Sequence, residues 1–494
     1  MRNRPPVLIG ACVMAAVLSG GPSLSSQASA RAQALRQPST GPGAQQTALD
    51  RYVAAPDPAF RWSVVATRPG EGYTAYLLDL VSQRWLTTAE VDKPEWHHWL
   101  TVIEPTTVRH DTGLVFVTGG DTRKGPPDKT DPGLADIAVT TGSVVAELRM
   151  IPNQPLVFAD DGGRERKEDE IIAYTWDKFL RTGDEKWPLR LPMTKAVVRA
   201  MDAVTAFCGK PPAGATAATV NRFVVAGASK RGWTTWTTAI VDQRVVAIAP
   251  VVIDVLNVEA SFDHHYRAYG FYAPSVKDYE EGGIMAWMGT PQFRALMRIE
   301  DPYEYRGRLT LPKYLVNATG DQFFLPDSWR VYYDALPGET SVRYVPNADH
   351  GLKGTDALQS VAAFYSSILT GTPRPKVTWT AGTDGRIRVQ ADRAPERVLV
   401  WRATNPSARD FRVETLGPIF TSEPLTPVAP GTWETTIAAP AAGWAAGLVE
   451  LRFASGTKYP FVVTSGVTVV PDRLPHESPH RTGRPPAAAT QKPR

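Results

Sequence analysis

Three residues with the chemistry of covalent catalysis stand in a fixed order along the chain: Ser229 in GASKRGWTTW, Asp321 in NATGDQFFLPDSW and His350 in VPNADHGLKG. A serine hydroxyl becomes a nucleophile when an imidazole takes its proton, and the imidazole needs a carboxylate to hold it in the right tautomer. Each of the three follows an apolar, strand-like run: Arg222–Ala226 before the serine, Lys313–Asn317 before the aspartate and Val342–Val345 before the histidine. Taken singly, each has a plain structural alternative in a turn, a cap or a surface loop. Their joint type, order and position favour a catalytic constellation. Asp327, after Pro326, is expected to cap the helix that follows it. Asp349 adjoins His350 and is expected to point elsewhere.

Around the serine the pattern departs from the usual Gly-x-Ser-x-Gly elbow, because the second glycine comes one position late, at Gly232. The two residues in between are Lys230 and Arg231. The Lys230 backbone N–H is the expected oxyanion donor, and two placements remain open for the basic side chains: turned into the site to steady negative charge, or on the outer face of the following helix. A second donor is expected from the loop after the Ser143 run, near Asn153 and Gln154. The adjacent pairs His97–His98 and His264–His265 cannot easily chelate one metal, and neither metal-ligand spacing nor a nucleotide-binding glycine loop is present, so no cofactor is expected.

The elements that must position these residues are legible as apolar strands alternating with helical patterns, from Leu114–Thr118 through Ser143–Leu148, Arg222–Ala226, Val245–Ala249 and Lys313–Asn317 to Val342–Val345. Such alternation predicts an α/β fold with a mostly parallel, doubly covered sheet, and the Ser, Asp, His order is that of an α/β-hydrolase. The predicted domain runs over 49–372. An aromatic-rich insertion at about 254–308 is expected to cap the site, with Trp233, His265, Tyr266 and Trp287 as candidate lining residues. From 373 to 470, short alternating runs separated by turn residues predict an all-β sandwich.

Composition narrows the class. The chain has 494 residues, 43% hydrophobic and 21% charged, with a net charge of +4 on 54 basic and 50 acidic residues, which suits a globular protein and gives no basic patch for nucleic acid. Arg2 and Arg4, an apolar run from Val7 to Leu18 and Ala28-Ser29-Ala30 predict a secretory signal over 1–30, whose apolar run of about twelve residues is too short to span a bilayer. The run before Cys12 is also too short to favour a lipoprotein anchor. A flexible leader over 31–48 and a disordered Pro-rich tail over 471–494 are expected. Without the signal, Cys208 is the only cysteine and is expected to be a buried structural thiol.

The sequence also resembles the PhoPQ-activated pathogenicity-related protein family. The stretches that carry the resemblance are MIPNQPLVF, EDEIIAYTWDKFL, WPLRLPMTKAVVRAMDAV, GASKRGWTTW, TGDQFFLPDSW, YVPNADHGL and SARDFRVE. The resemblance implies an exported α/β-hydrolase-like domain followed by a β-sandwich, with the family's serine, aspartate and histidine falling on Ser229, Asp321 and His350. It also implies association with virulence, with resistance to cationic peptides or with secreted growth control. Locally, the elbow is similar to that of glucuronoyl esterases, in which a basic residue after the serine helps form the oxyanion hole. The expected function is therefore an exported serine hydrolase acting on an ester, with carbohydrate esters among the candidates. The alternatives are a peptidase acting on cationic peptides and a non-catalytic signalling protein on a hydrolase scaffold. The expected partner is a small-molecule, glycan or peptide substrate.

Overall fold

The computed structural model describes residues 46–212 and 217–479. The signal segment, Cys12, most of the leader and the end of the tail lie outside them. Nine strands form one sheet: β1 (Arg61–Gly70), β2 (Tyr73–Arg84), β3 (Glu95–Pro105), β4 (Thr112–Val117), β5 (Val145–Leu148), β6 (Arg222–Ala228), β7 (Val245–Val251), β8 (Lys313–Ala318) and β9 (Thr340–Val345). Their order across the sheet is β1-β2-β3-β5-β4-β6-β7-β8-β9. From β5 to β9 every neighbouring pair is parallel. At the other end, β1, β2 and β3 form an antiparallel meander joined antiparallel to β5. This meander is absent from the sequence-based series, which begins at Leu114. The edge strand β1 buries none of its residues, so its apolar signal is weak.

Both faces of the parallel region are covered, which explains why its strands are apolar throughout. Helices α1 (Ala48–Ala54) and α2 (Pro132–Thr141) come first in the chain. On β6, Phe223 and Val225 pack with Trp176, Met193, Val197 and Trp236 of helices α3 (Asp169–Thr182), α4 (Arg190–Gly209) and α5 (Lys230–Val241), the last being the helix entered from β6. Val224 and Ala226 face the other way, against Leu134 and Phe364 of helices at Pro132–Thr141 and Ala357–Thr370. Helix α4 is buried nearly all round, so its charges must be paired inside. Arg190 meets Glu300 at 3.3 Å, Lys195 meets Asp57 at 3.6 Å and Arg199 meets Asp202 at 2.8 Å.

Between β7 and β8 the aromatic-rich insertion is helical, with α6 (Val258–Tyr269) and α7 (Pro291–Glu300) separated by shorter helical segments at Pro274–Val276, Lys277–Glu281 and Ile284–Trp287. After Gly371, two antiparallel sheets are formed by β10 (Val377–Ala381), β11 (Arg386–Ala391), β12 (Arg397–Asn405), β13 (Thr421–Pro424), β14 (Thr432–Thr436), β15 (Trp444–Phe453), β16 (Phe461–Thr464) and β17 (Thr468–Val470). Ile387, Val389 and Trp433 of one sheet share a core with Val400, Val449 and Leu451 of the other, which makes the pair a sandwich. The sandwich leans on the edge of the large sheet: the Tyr344 N–H donates to Thr464 Oγ1 at 3.0 Å, and the Tyr314 hydroxyl donates to the Val462 carbonyl at 2.5 Å. The start of the Pro-rich tail is also held, by an Asp472–Arg330 ion pair at 2.6 Å and by the His476 N–H on the Arg267 carbonyl at 3.1 Å. Cys208 is buried, and that burial pushes its thiol up to about 12. No helix among the described residues is long and apolar enough to cross a membrane.

Candidate active site

Ser229 sits where β6 turns into α5, with φ +59° and ψ −129°. This conformation costs a serine roughly 1–3 kcal/mol and persists only where surrounding structure imposes it. Its N–H is bonded to the Val251 carbonyl of β7 at 2.8 Å, while its hydroxyl makes no capping bond to the helix it precedes. The flanking glycines explain how the chain turns so tightly. A Cβ at Gly227 would stand 2.9 Å from the Arg231 carbonyl oxygen, and one at Gly232 would stand 2.8 Å from that of Gly227 and 3.0 Å from that of Val251. The displaced glycine is therefore the point where the first turn of α5 crosses the ends of β6 and β7.

The sheet order brings the acid and the base to the same edge. Asp321 lies three residues beyond β8 and His350 five beyond β9, and β6 through β9 are parallel neighbours. His350 Nδ1 is 2.8 Å from Asp321 Oδ2. Because the carboxylate accepts there, Nδ1 carries the proton and Nε2 is left as the basic nitrogen. Asp321 is 3% exposed, and its second oxygen accepts the Phe323 N–H at 2.7 Å. The His350 N–H donates to Gln322 Oε1 at 3.1 Å, and the Phe323 ring lies 4.3 Å from the imidazole.

The two basic residues after the serine take neither of the placements left open above. Lys230 is buried, its ammonium 2.9 Å from Glu168 Oε2 and 3.0 Å from Asp169 Oδ2, both at the start of α3. Arg231 Nη2 lies 2.6 Å from Glu168 Oε1, and its Nε donates to the Ile151 carbonyl. Burial would raise the Glu168 carboxyl, but Arg231 and Lys230 together hold it down to about 2. Glu168 itself has a positive φ of +52°. Gln154 serves the same knot, its Nε2 donating to the Gly120 carbonyl at 3.1 Å and its Oε1 accepting the Glu168 N–H at 2.8 Å, whereas Asn153 Nδ2 donates to the His97 carbonyl on β3. The strand beside β6 is β4 rather than β5. Extending their register from Val117 opposite Gly227 places Gly119 level with Ser229, and a Cβ at Gly119 would collide with the Arg231 guanidinium, 2.4 Å from Nη2. The turn level with the serine is thus Thr118–Gly120, which sequence reasoning missed.

Of the insertion and helix residues expected to line a pocket, Trp233 belongs to the core. It packs edge-on to Trp176 at 6.1 Å, lies under the Arg190 guanidinium at 4.7 Å and donates to the Glu300 carbonyl at 2.6 Å. His265 is 3% exposed and accepts the Ala273 N–H at 2.9 Å; burial pushes its ring down to about 3, so it stays neutral. Tyr266 packs on Tyr272 at 5.2 Å, and Trp287 is half-buried against the main core. Asp327 does not cap its helix. It is fully buried, with Arg409 Nη2 at 2.5 Å and His264 Nε2 at 3.1 Å; burial alone would raise its carboxyl, but Arg409 and His264 hold it well below the usual range. A further acid not anticipated is Asp254, three residues beyond β7, bonded by the hydroxyls of Tyr332 and, at 2.6 Å, Tyr344. The run VVIDV hid it, because an acid inside an apolar run gives no spacing signal. Among the described residues no group of three or more His, Cys, Asp and Glu side chains is placed to hold a metal ion.

The strand order, the helices on both faces and the strained serine turn at the edge of the sheet define an α/β-hydrolase fold, followed here by antiparallel sheets. The family follows from the sequence: a model of the PhoPQ-activated pathogenicity-related protein family matches residues 49–412, and the chain belongs to that family. Autocrine proliferation repressor protein A of Dictyostelium discoideum is 37% identical over 461 residues, covering 87% of this chain and 92% of that protein. Among solved structures, the acetyl xylan esterase from Paenibacillus sp. R4 superposes with a TM-score of 0.46 at 14% identity, covering 69% of this chain and 99% of its own. Acetyl xylan esterase 1 from Thermoanaerobacterium sp. JW/SL YS485 superposes with a TM-score of 0.40 at 14% identity, covering 68% and 98%.

Proposed function

We propose that the protein is an exported serine hydrolase acting on esters, with carbohydrate esters among the candidates. Ser229 Oγ attacks the ester carbonyl while His350 Nε2 takes its proton, and Asp321 holds the imidazole through Nδ1. The proton then passes to the departing alcohol, and water cleaves the acyl-enzyme by the same route. The Lys230 ammonium is engaged by two carboxylates, which leaves the oxyanion to backbone donors: the Lys230 N–H at the amino end of α5 and the Gly119–Gly120 turn beside it. The observation that carries the reading is the pairing of a strained, uncapping serine with an Asp321–His350 bond of 2.8 Å on the same sheet edge.

Labelling by a fluorophosphonate probe, compared between the natural protein and Ser229→Ala, tests it. Labelling that vanishes in the variant supports the reading, and a folded natural protein that never reacts refutes it. Hydrolysis of acetylated sugars but not peptide amides supports the ester class, whereas the reverse favours a peptidase. The name of the Dictyostelium relative favours a second reading, an autocrine repressor of proliferation that keeps the scaffold without using it. That reading predicts growth repression by Ser229→Ala equal to the natural protein's.

A further inference from the structure

The connection between β12 and β13, from Asn405 to Thr421, belongs to the sandwich by chain order, yet its contacts reach the loops that carry Asp321 and His350. We propose that this connection is a positioning element for the acid–base pair, with Asn347 as its main anchor; the proposal rests on the hydrolase reading above. Asn347 has φ +60°, and its N–H donates to Thr319 Oγ1 at 3.0 Å. Its side chain grips one backbone residue of the connection from both sides: Nδ2 donates to the Phe420 carbonyl at 2.8 Å, and Oδ1 accepts the Phe420 N–H at 2.8 Å. A neighbouring strand would pair with Phe420 in the same way, so the side chain substitutes for a strand partner three residues before His350.

The acid loop is held twice. The Gly320 N–H donates to the Ala348 carbonyl at 3.0 Å, which ties the acid loop to the base loop, and the Gly320 carbonyl accepts the Val413 N–H of the connection at 3.0 Å. A Cβ at Gly320 would stand 2.2 Å from Val413 Cγ2, so only glycine lets the connection approach this closely beside Asp321. At the far end of the acid loop, Arg409 of the connection binds buried Asp327. The connection is itself braced, by Asn405 Nδ2 on the Asp410 carbonyl at 2.7 Å and by the Arg412–Asp410 pair at 2.6 Å. Three anchors, at Gly320, Asp327 and Asn347, therefore bracket Asp321 and His350 and refer both to one body. A misplacement of about 1 Å in a catalytic group costs up to about a hundred-fold in rate. The sandwich is joined to the large sheet elsewhere, through Tyr314 and Tyr344, so loosening this clamp leaves the fold standing.

The test uses the full chain with Asn347→Ala and, independently, Val413→Pro, which deletes the N–H bonded to Gly320 at the first position of a short helix, where proline is tolerated. Three readouts are compared with the natural protein: hydrogen exchange of peptides over 319–324 and 346–352, the downfield proton resonance of the His350 Nδ1–H bond, and the rate of fluorophosphonate labelling. Both variants are expected to exchange faster in those two peptides but not in β4 and β6, to lose the downfield resonance, and to label at least about ten-fold more slowly. Unchanged exchange with a retained resonance overturns the proposal, as does labelling at the natural rate. If the natural protein is never labelled, the hydrolase reading fails, while the proton resonance and the exchange still decide the positioning. Should Asn347→Ala not fold, Val413→Pro decides alone.

Discussion

Replacing Asp254 by asparagine should remove a pH dependence of stability that the natural protein carries. Asp254 is 2% exposed and packed against Tyr332 and Tyr344. Burial pushes its carboxyl from 3.8 up to about 7, with the charges of Asp321 and Asp327 adding to the rise and the two tyrosine hydroxyls opposing it. In the unfolded chain the same carboxyl ionises near 3.8. The folded state therefore keeps a proton that the unfolded state has lost, and stability falls as pH rises between those values, by about 1.4 kcal/mol per pH unit. The loss from this group is complete once pH passes about 7 and amounts to about 4 kcal/mol. The side-chain amide of the Asp254→Asn variant has no such proton to lose. Urea unfolding of both proteins at intervals from pH 4 to pH 8.5 should show a gap that moves in the variant's favour with rising pH and levels off above 7. A gap that stays constant across this range would show that Asp254 ionises in the fold as it does in the unfolded chain, and the account of its burial would fail.

Three other expectations follow from the geometry. Gly232→Ala should cost about 1–3 kcal/mol in urea unfolding and slow fluorophosphonate labelling, because the new methyl meets two carbonyl oxygens at 3.0 Å or less and must prise the elbow open. Arg409→Ala should cost about 3–5 kcal/mol, because it leaves Asp327 buried with only His264 at 3.1 Å and Arg330 at 3.9 Å; an unchanged urea midpoint would refute this. Glu168→Gln should cost only about 1 kcal/mol at pH 7, since its side chain is 38% exposed, so that solvent screens the pairing, and the amide keeps the same shape. The folded-state carboxyl of Glu168 is depressed, so its contribution is present above about pH 4.5 and fades toward about 2, and the gap between the two proteins should be smaller at pH 3 than at pH 7.

The parts of the site that are local in the chain are legible without a structure. A serine after an apolar run and between glycines, and an acid and a histidine after two later runs, announce strand ends, because turn chemistry depends on residues a few positions away. The parallel sheet and the sandwich are legible for the same reason. The edge strand β1 is not, since it buries none of its residues and leaves little apolar pattern, and the mostly buried β2 and β3 went unread with it.

What only the tertiary structure decided is who stands beside whom. Lys230 and Arg231 announce positive charge at the elbow, but their carboxylates come from Glu168 and Asp169 at the start of another helix, and no periodicity links them. Trp233 counts as an aromatic near the serine until the packing of α3 and α4 shows that its face of α5 is the core. The loop beside Ser229 is the one after β4 because β4, not β5, pairs with β6, an order that pairwise hydrogen bonding across the sheet sets and the chain does not. Local sequence determined which residues can turn, strain or titrate; the crossing of strands in space determined which of them meet, because partners are brought together by burying shared apolar surface, a term that is blind to sequence separation.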